Sequence, residues 1–118
     1  MESSGEAARA RIYIGENDVL VDRPLVDVLV YRAQEMRLAG ATVTRGRMGY
    51  GLRTFPSPSH LVLSHDRPMV IEIVDSRDKI DAYLAAIEPI VPGRLITIET
   101  VQIVRYGAEA RTYSATRG

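Results

Sequence analysis

Hydrophobic and polar positions alternate near the start of the chain. Between Arg9 and Gly15, the apolar residues Ala10, Ile12 and Ile14 alternate with Arg9, Arg11 and Tyr13. A period of two is typical of a strand with one buried face. The pattern predicts a first strand over Arg9–Gly15.

A helical spacing follows after a polar turn. Pro24 suits the first helical position, because its ring fixes φ at a helical value and its missing N–H needs no partner there. Apolar residues then recur every three or four positions until Gly40, which we expect to end the helix. These residues are Leu25, Val28, Leu29, Ala33 and Met36. β-Branched residues in Ala41–Met48 predict a second strand.

The second half of the chain repeats this order. Met69–Asp75 predicts a strand, and Ser76 can cap a helix that ends at Pro92-Gly93. The apolar positions of this helix are Ile80, Leu84, Ile87 and Val91. A last strand is predicted over Arg94–Tyr106. Two such halves predict an α+β fold of ferredoxin-like, split βαβ type, with an antiparallel sheet, two helices on one face and a long loop between the halves.

The 118 residues and their composition fit a single domain. We expect an ordered core at about 9–106, with flexible tails at Met1–Ala8 and Ala108–Gly118. The connection Arg45–Arg67 contains five glycines and prolines. Connections longer than about 12 to 15 residues are often functional, so this segment is a candidate for function, and Leu61–Leu63 is expected to extend a hairpin.

Both faces of the predicted strand in the second half carry apolar residues. Val70 and Val74 lie on one side, and Ile71 and Ile73 on the other. Helices cover one face only, and soluble proteins rarely leave a large apolar patch exposed. The pattern predicts obligate self-association; the alternative is that the long loop or a tail covers this face.

Charge and composition exclude several classes of function. Fifteen basic residues balance fifteen acidic ones, which argues against nucleic acid as a partner. A polar N-terminus and the lack of a long apolar run indicate a cytoplasmic protein without membrane insertion. The absence of cysteine excludes disulfides and thiolate metal sites.

Catalytic groups are not indicated. His60 and His65 are five residues apart, so on one strand they would face opposite sides and could not share a metal. The serines lack a nucleophile motif. Glu72, in the middle of an apolar strand, is a minor candidate for a functional carboxylate; a hydrated place at a sheet edge or interface explains it equally well.

A cluster of glycines and arginines is the strongest chemical signal. In the segment Arg45–Gly51, followed by Arg53, glycines permit close backbone approach and arginines can bind an anion. The cluster matches neither the dinucleotide nor the P-loop motif, and a solvated loop would also explain it. Gly93-Arg94 and Arg105 supply further cations near the last strand.

Four strings of residues resemble a known family. They are Arg11–Glu16, Leu38–Gly46, Met48–Gly51 and Val70–Ser76. In this order they identify the chain as a member of an uncharacterised family, domain of unknown function 190, over about residues 9–106. This family is similar to the PII signal-transduction proteins. The resemblance implies a homotrimer that binds ATP or ADP between subunits and signals through a mobile loop.

The resemblance also implies ligand-binding residues. Gly49-Tyr50-Gly51 resembles the base of the mobile loop, and Thr42 resembles a threonine near the adenine. Gly93-Arg94 resembles the phosphate-binding turn. With the basic and acidic candidates above, the full set is Thr42, Arg47, Gly49, Tyr50, Gly51, Arg53, Glu72, Gly93, Arg94 and Arg105.

Departures from the PII pattern narrow the implied function. Arg53 and Pro68 replace the residues that bind 2-oxoglutarate, and Gly107 replaces a second arginine of the last strand. No tyrosine lies between Leu52 and Pro68 for modification. These differences argue against 2-oxoglutarate sensing and uridylylation, and they leave AMP or a cyclic dinucleotide open as ligands.

The main hypothesis is therefore a non-enzymatic, trimeric regulator that binds an adenine nucleotide or related anion. It would contact a protein partner, such as a transporter or an enzyme, through the loop Arg47–Arg67. One alternative is an assembly protein without a small ligand. Another is a small hydrolase that uses Glu72, or His65 with Asp66.

Overall fold

Four of the described strands form one sheet, and both described helices pack on it. The computed structural model describes residues 6–47 and 67–104. In chain order its elements are β1 (Ala7–Gly15), β2 (Val19–Leu20), β3 (Arg23–Pro24), α1 (Leu25–Glu35), β4 (Ala41–Arg45), β5 (Pro68–Ser76), α2 (Arg77–Ile87), a 3-10 turn (Glu88–Ile90) and β6 (Ile96–Val101). The sheet order is β4-β5-β1-β6, and every neighbouring pair is antiparallel. The predicted split βαβ fold is confirmed.

The core lies between one face of this sheet and both helices. The apolar residues of β1 that alternate in the sequence are buried, together with Ile71 and Ile73 of β5. Leu25 and Leu29 of α1 and Ile80 of α2 belong to the same cluster. One cluster unites both helices with one side of the sheet. Within the described residues, the other side, which we call the helix-free face, carries no helix.

The first helix is displaced from its predicted bounds. Pro24 precedes the helix as its cap residue instead of beginning it, and α1 ends at Glu35, before Gly40. Arg37 takes the left-handed conformation with φ 63°. The Leu38 N–H donates to the Ala33 carbonyl over 3.0 Å, and the Arg37 N–H donates to that of Gln34. These two bonds form the Schellman motif that satisfies the last helical carbonyls, with arginine where glycine is usual.

The second helix begins as predicted and ends earlier. The Ser76 hydroxyl accepts the Lys79 N–H over 3.3 Å, which confirms the predicted cap. The α-helix stops at Ile87, because Pro89 has no N–H to donate and its ring would clash with the carbonyl four residues before it. Val91 is still buried after the 3-10 turn, so its apolar character reflects the core and not a longer helix.

Several other boundaries differ from the prediction. The first strand begins at Ala7 and buries Ala7 and Ala8, so the expectation that these two residues belong to a tail is wrong. β4 ends at Arg45, and β6 covers only Ile96–Val101 of the predicted last strand. The polar turn after β1 contains the small β2–β3 hairpin. The predicted hairpin at Leu61–Leu63 and the C-terminal tail lie outside the described residues.

The helix-free face of the sheet is more polar than the sequence suggests. Val70 and Val74 are half-buried there, but ion pairs lie between them and β6. The Arg11 Nε lies 3.1 Å from Glu72 Oε1, and Arg9 pairs with Glu99. The expected apolar patch is therefore interrupted, because the arginines of β1 lie between Glu72 of β5 and Glu99 of β6.

The described helices are short. None of those within residues 6–47 and 67–104 has the length and apolar character needed to cross a membrane.

Tyr83 links the two helices through a buried hydrogen bond. Its hydroxyl donates to the Leu29 carbonyl over 2.7 Å, and burial raises the pKa of Tyr83, so the phenol keeps this proton. Tyr83→Phe should lower the free energy of unfolding by about 1 kcal/mol, measured by urea denaturation. Tyr31→Phe, on an exposed side chain, should cost almost nothing; equal losses in both variants would contradict the role of this bond.

The left-handed residue after α1 gives a second prediction. Arg37→Gly should stabilise the protein by about 1 kcal/mol, because glycine adopts this conformation without a Cβ clash. The position that a Cβ of residue 40 would occupy is open space, so Gly40→Ala should not lower the free energy of unfolding. Thermal unfolding of both variants provides the measurement. A large loss for Gly40→Ala would mean that Gly40 terminates the helix after all.

Candidate functional site

Four segments of the chain meet at one end of the sheet, which we call the loop-base end. The register brings the last residue of β1, Gly15, beside Pro68 at the start of β5, while the Gly46 N–H donates to the Pro68 carbonyl over 2.7 Å. The Tyr13 N–H donates to the Leu95 carbonyl over 3.0 Å, which places the residues before β6 at the same end. The loop-base end consists of Gly15–Asp18, Arg45–Arg47, Arg67–Pro68 and Gly93–Arg94.

A buried ion pair occupies one side of this end. The Nη2 and Nε atoms of Arg94 lie 3.0 Å and 3.2 Å from the same carboxylate oxygen, Oδ2 of Asp18. Only 11% of the Arg94 side chain and 7% of the Asp18 side chain are exposed. The Asp18 Oδ2 atom also accepts the Gly15 N–H over 2.9 Å. Several hydrogen bonds thus compensate for removing both charges from water.

The turn before β6 fixes the Arg94 side chain. Gly93 has φ +75°, a conformation that disfavours any residue with a Cβ, so this turn needs glycine. The Arg94 N–H donates to the Val91 carbonyl over 3.2 Å. The Arg94 Nη1 atom donates to the Pro92 carbonyl over 3.1 Å. The guanidinium is therefore held by its own turn as well as by Asp18.

Glu16 connects the turn after β1 to both ends of the long connection. Its N–H donates to the Arg67 carbonyl over 2.7 Å. Its Oε2 atom lies 3.6 Å from Nη1 of Arg45. Since Asp18 belongs to the same turn, the residues Gly15–Asp18 contact Arg94 on one side and the start and end of the connection on the other.

The other described candidates lie near the opposite edge of the sheet, on β4, just after β4, or on the neighbouring strand β5. Thr42 of β4 is exposed and stands directly opposite Glu72 of β5. Glu72 accepts a hydrogen bond from Arg11, and this bond raises the pKa of Arg11. Arg47 is exposed, two residues after β4. Glu72 is thus a paired, half-buried carboxylate, which gives no support to its use as a catalytic base.

The candidates therefore fall into two groups. Thr42 lies on β4 and Arg47 follows this strand, whereas Gly93 and Arg94 precede β6. The strands β4 and β6 are the two edges of the described sheet. Adjacent strands are about 4.8 Å apart, so β4 and β6, which are three strand spacings apart, are separated by about 14 Å. One chain does not bring the two groups into a single small site.

Some predictions fall on residues that the structure does not describe. Gly49, Tyr50, Gly51, Arg53 and Arg105 lie outside the described residues, as do His60, His65 and Asp66. Within residues 6–47 and 67–104, no three His, Cys, Asp or Glu side chains are grouped to hold a metal ion.

Sequence reasoning missed Asp18. Its partner Arg94 lies 76 positions further along the chain, and an aspartate after Gly15-Glu16-Asn17 has the composition of an ordinary solvated turn. The nearest signal was Gly15 at the end of a strand, which indicates a tight turn but not a buried acid. Glu16 was missed for the same reason.

Comparison with known sequences identifies relatives over almost all of the described chain. The family model for domain of unknown function 190, described as "Uncharacterized ACR", matches residues 7–103. A UPF0166 protein of Aquifex aeolicus (strain VF5) is 36% identical over 96 residues, which are 80% of this chain and 90% of that protein. A second UPF0166 protein of the same organism is 32% identical over 94 residues, or 79% and 92%.

Solved structures share the fold at low sequence identity. CPII from Thiomonas intermedia K12, bound to ADP, AMP and acetate, has a TM-score of 0.62 at 12% identity and covers 86% of this chain and 91% of its own. A PII-like signaling protein from Thermus thermophilus gives 0.60 at 18%, with coverage of 89% and 95%. GlnK of B. subtilis in complex with ATP gives 0.52 at 16%, with coverage of 83% and 86%. These similarities show a PII-like fold.

The buried ion pair generates a test by double-mutant cycle. Asp18→Ala should lower the free energy of unfolding by about 3 kcal/mol, because it leaves the Arg94 guanidinium buried without its counter-charge. Arg94→Met should cost a similar amount, and the double variant should cost clearly less than the sum of the two. Urea denaturation measures all three.

The matched control is Asp22→Ala, an exposed acid of the adjacent hairpin. It should change the free energy of unfolding by less than about 0.5 kcal/mol. Strictly additive losses at Asp18 and Arg94 would show that the two side chains do not interact.

Proposed function

The chain belongs to the family of domain of unknown function 190, and from this premise we propose that it is a non-enzymatic regulatory protein that binds an adenine nucleotide or related phosphate anion between copies of itself. One observation carries the proposal: the Gly93-Arg94 turn and the exposed Arg47 lie at the same end of a PII-like sheet, but at its two opposite edges. CPII and GlnK, which share this fold, have been solved with ADP, AMP or ATP bound.

The glycine-arginine turn supports an anion at the β6 edge. Gly93 leaves open space where a Cβ would stand, so a ligand can approach the backbone closely. The guanidinium of Arg94 has five N–H donors, of which the Asp18 and Pro92 contacts use three. Its remaining donors suit a phosphate oxygen, to which arginine makes strong charge-assisted hydrogen bonds.

The second group supports a contribution from another copy. Arg47 is exposed at the β4 edge, and Arg45 and Arg67 lie at the same end of the sheet. A ligand that contacts Arg94 of one copy reaches Arg47 when the β4 edge of a neighbour lies against the β6 edge. We therefore propose a homotrimer, the assembly that the resemblance to PII proteins implies, with the ligand in each cleft.

The segment between Arg47 and Arg67 is the proposed contact for a protein partner. It leaves and rejoins the sheet at the loop-base end, beside the proposed anion site. A ligand shifts this segment toward one conformation only if it binds that conformation more tightly. A transporter or an enzyme in the cytoplasm fits this scheme as the partner. An assembly function without a ligand is the alternative that the following experiment separates.

Isothermal titration of the intact chain with ATP, ADP, AMP and a cyclic dinucleotide tests the proposal, with the mass of the assembly measured in the same buffer. We expect saturable binding of at least one nucleotide to a trimer. Arg47→Ala should weaken it about tenfold or more, because a hydrogen bond to a charged group contributes about 1.5–3 kcal/mol.

Arg77→Ala provides the control. Arg77 follows Ser76, at the end of β5 remote from the loop-base end, and its guanidinium pairs with Asp81 one helical turn away. This variant should bind like the unmodified protein. A folded assembly that binds none of the four nucleotides would refute ligand sensing and favour the assembly function.

A further inference from the structure

The Asp18 carboxylate already occupies the place of an anion at Arg94. Three donors converge on its Oδ2 atom: Gly15 N at 2.9 Å, Arg94 Nη2 at 3.0 Å and Arg94 Nε at 3.2 Å. A backbone N–H beside a guanidinium is a usual environment for a bound phosphate or carboxylate oxygen. In this chain, the oxygen is supplied by the protein itself.

We propose that Asp18 is an internal competitor that sets the minimum charge a ligand must carry to bind at Arg94. The inference rests on the proposed anion site and adds a specificity-determining residue to it. An incoming anion has to share the guanidinium with Asp18 or displace it. In either case, a ligand that carries no more charge than the Asp18 carboxylate, and that contacts no group beyond Arg94, should bind weakly.

Electrostatics decides which ligands succeed. A carboxylate monoanion such as acetate brings the same charge as Asp18, but it must also lose translational freedom, whereas Asp18 is tethered to the site. A terminal phosphate carries a charge of about −1.5 to −2 and three acceptor oxygens. A nucleoside diphosphate therefore has the charge to compete for Arg94 and additional oxygens for a second arginine, and acetate has neither.

A change in the Asp18–Arg94 contact also affects the other segments of the loop-base end. When Arg94 turns toward a ligand, Asp18 loses the guanidinium that fixes its position against the Gly15 N–H. Glu16, between these two residues, holds Arg45 and the Arg67 carbonyl. Ligand binding at Arg94 is thus coupled to the two described ends of the long connection through one short turn.

Asp18→Asn tests the competition directly. Asparagine keeps an oxygen that can accept the Gly15 N–H but removes the charge, so Arg94 is left to favour an external anion. The variant is titrated with ADP and, separately, with inorganic phosphate. It should bind each of them at least about tenfold more tightly than the unmodified protein does. The ratio of ADP to acetate affinity should fall, because the charge threshold is gone.

Two further variants complete the titration experiment. Asp22→Asn removes one negative charge from the exposed part of the adjacent hairpin and should leave affinity unchanged. Asp18→Asn combined with Arg94→Ala should lose the gain. If the unmodified protein binds ADP and Asp18→Asn binds it no better, the competitor role is refuted and the proposed function stands; if no form binds ADP or phosphate, both are refuted.

A measurement on the unmodified protein does not depend on the stability of any variant. In nitrogen NMR spectra, ADP should shift the Arg94 Nε–H and the Gly15 amide resonances together, with one midpoint, because both N–H groups bond to Asp18 Oδ2. ADP binding that leaves both resonances in place would overturn the inference.

Discussion

The buried ion pair between Asp18 and Arg94 is the constraint on which the candidate site depends. It joins the turn that follows β1 to the turn that precedes β6, two segments 76 residues apart in sequence. Removing two charges from water is costly, and two further hydrogen bonds offset part of that cost. The Asp18 Oδ2 atom also accepts the Gly15 N–H, and the Arg94 Nη1 atom donates to the Pro92 carbonyl. The position of Arg94, and with it the direction in which its remaining donors point, follows from this arrangement.

The site is divided by the sheet order. A split βαβ unit places β4 and β6 at opposite edges, so the residues at the β4 edge and the glycine-arginine turn are separated by the width of the sheet. The helix-free face carries ion pairs, in which Arg11 lies between Glu72 and Glu99. A face with paired charges and half-buried valines can be covered by another copy without leaving an unpaired charge, which agrees with the proposal that a second copy completes the site.

Much of the fold follows from local patterns in the sequence, whereas the site depends on long-range pairing. The alternation in β1 and the cap at Ser76 involve residues close together in the chain, and both are predictable. The end of α1 is not, because Arg37 takes the conformation usually reserved for glycine, and the Schellman bonds outweigh its strain. Arg94 is recognisable as a cation next to a glycine, but whether an arginine is solvated or buried depends on a partner that can lie anywhere in the chain. The helix-free face shows the same limit, since its apolar residues are local features of β5 and its charges come largely from β1 and β6.

The most direct test of the proposed site is a crystal structure of the intact chain with ADP. We expect the diphosphate between Arg94 of one copy and Arg47 of the partner subunit, with the Asp18 carboxylate no longer accepting both hydrogen bonds from Arg94. A diphosphate bound elsewhere, or one bound within a single chain while the ion pair stays intact, would contradict the proposal.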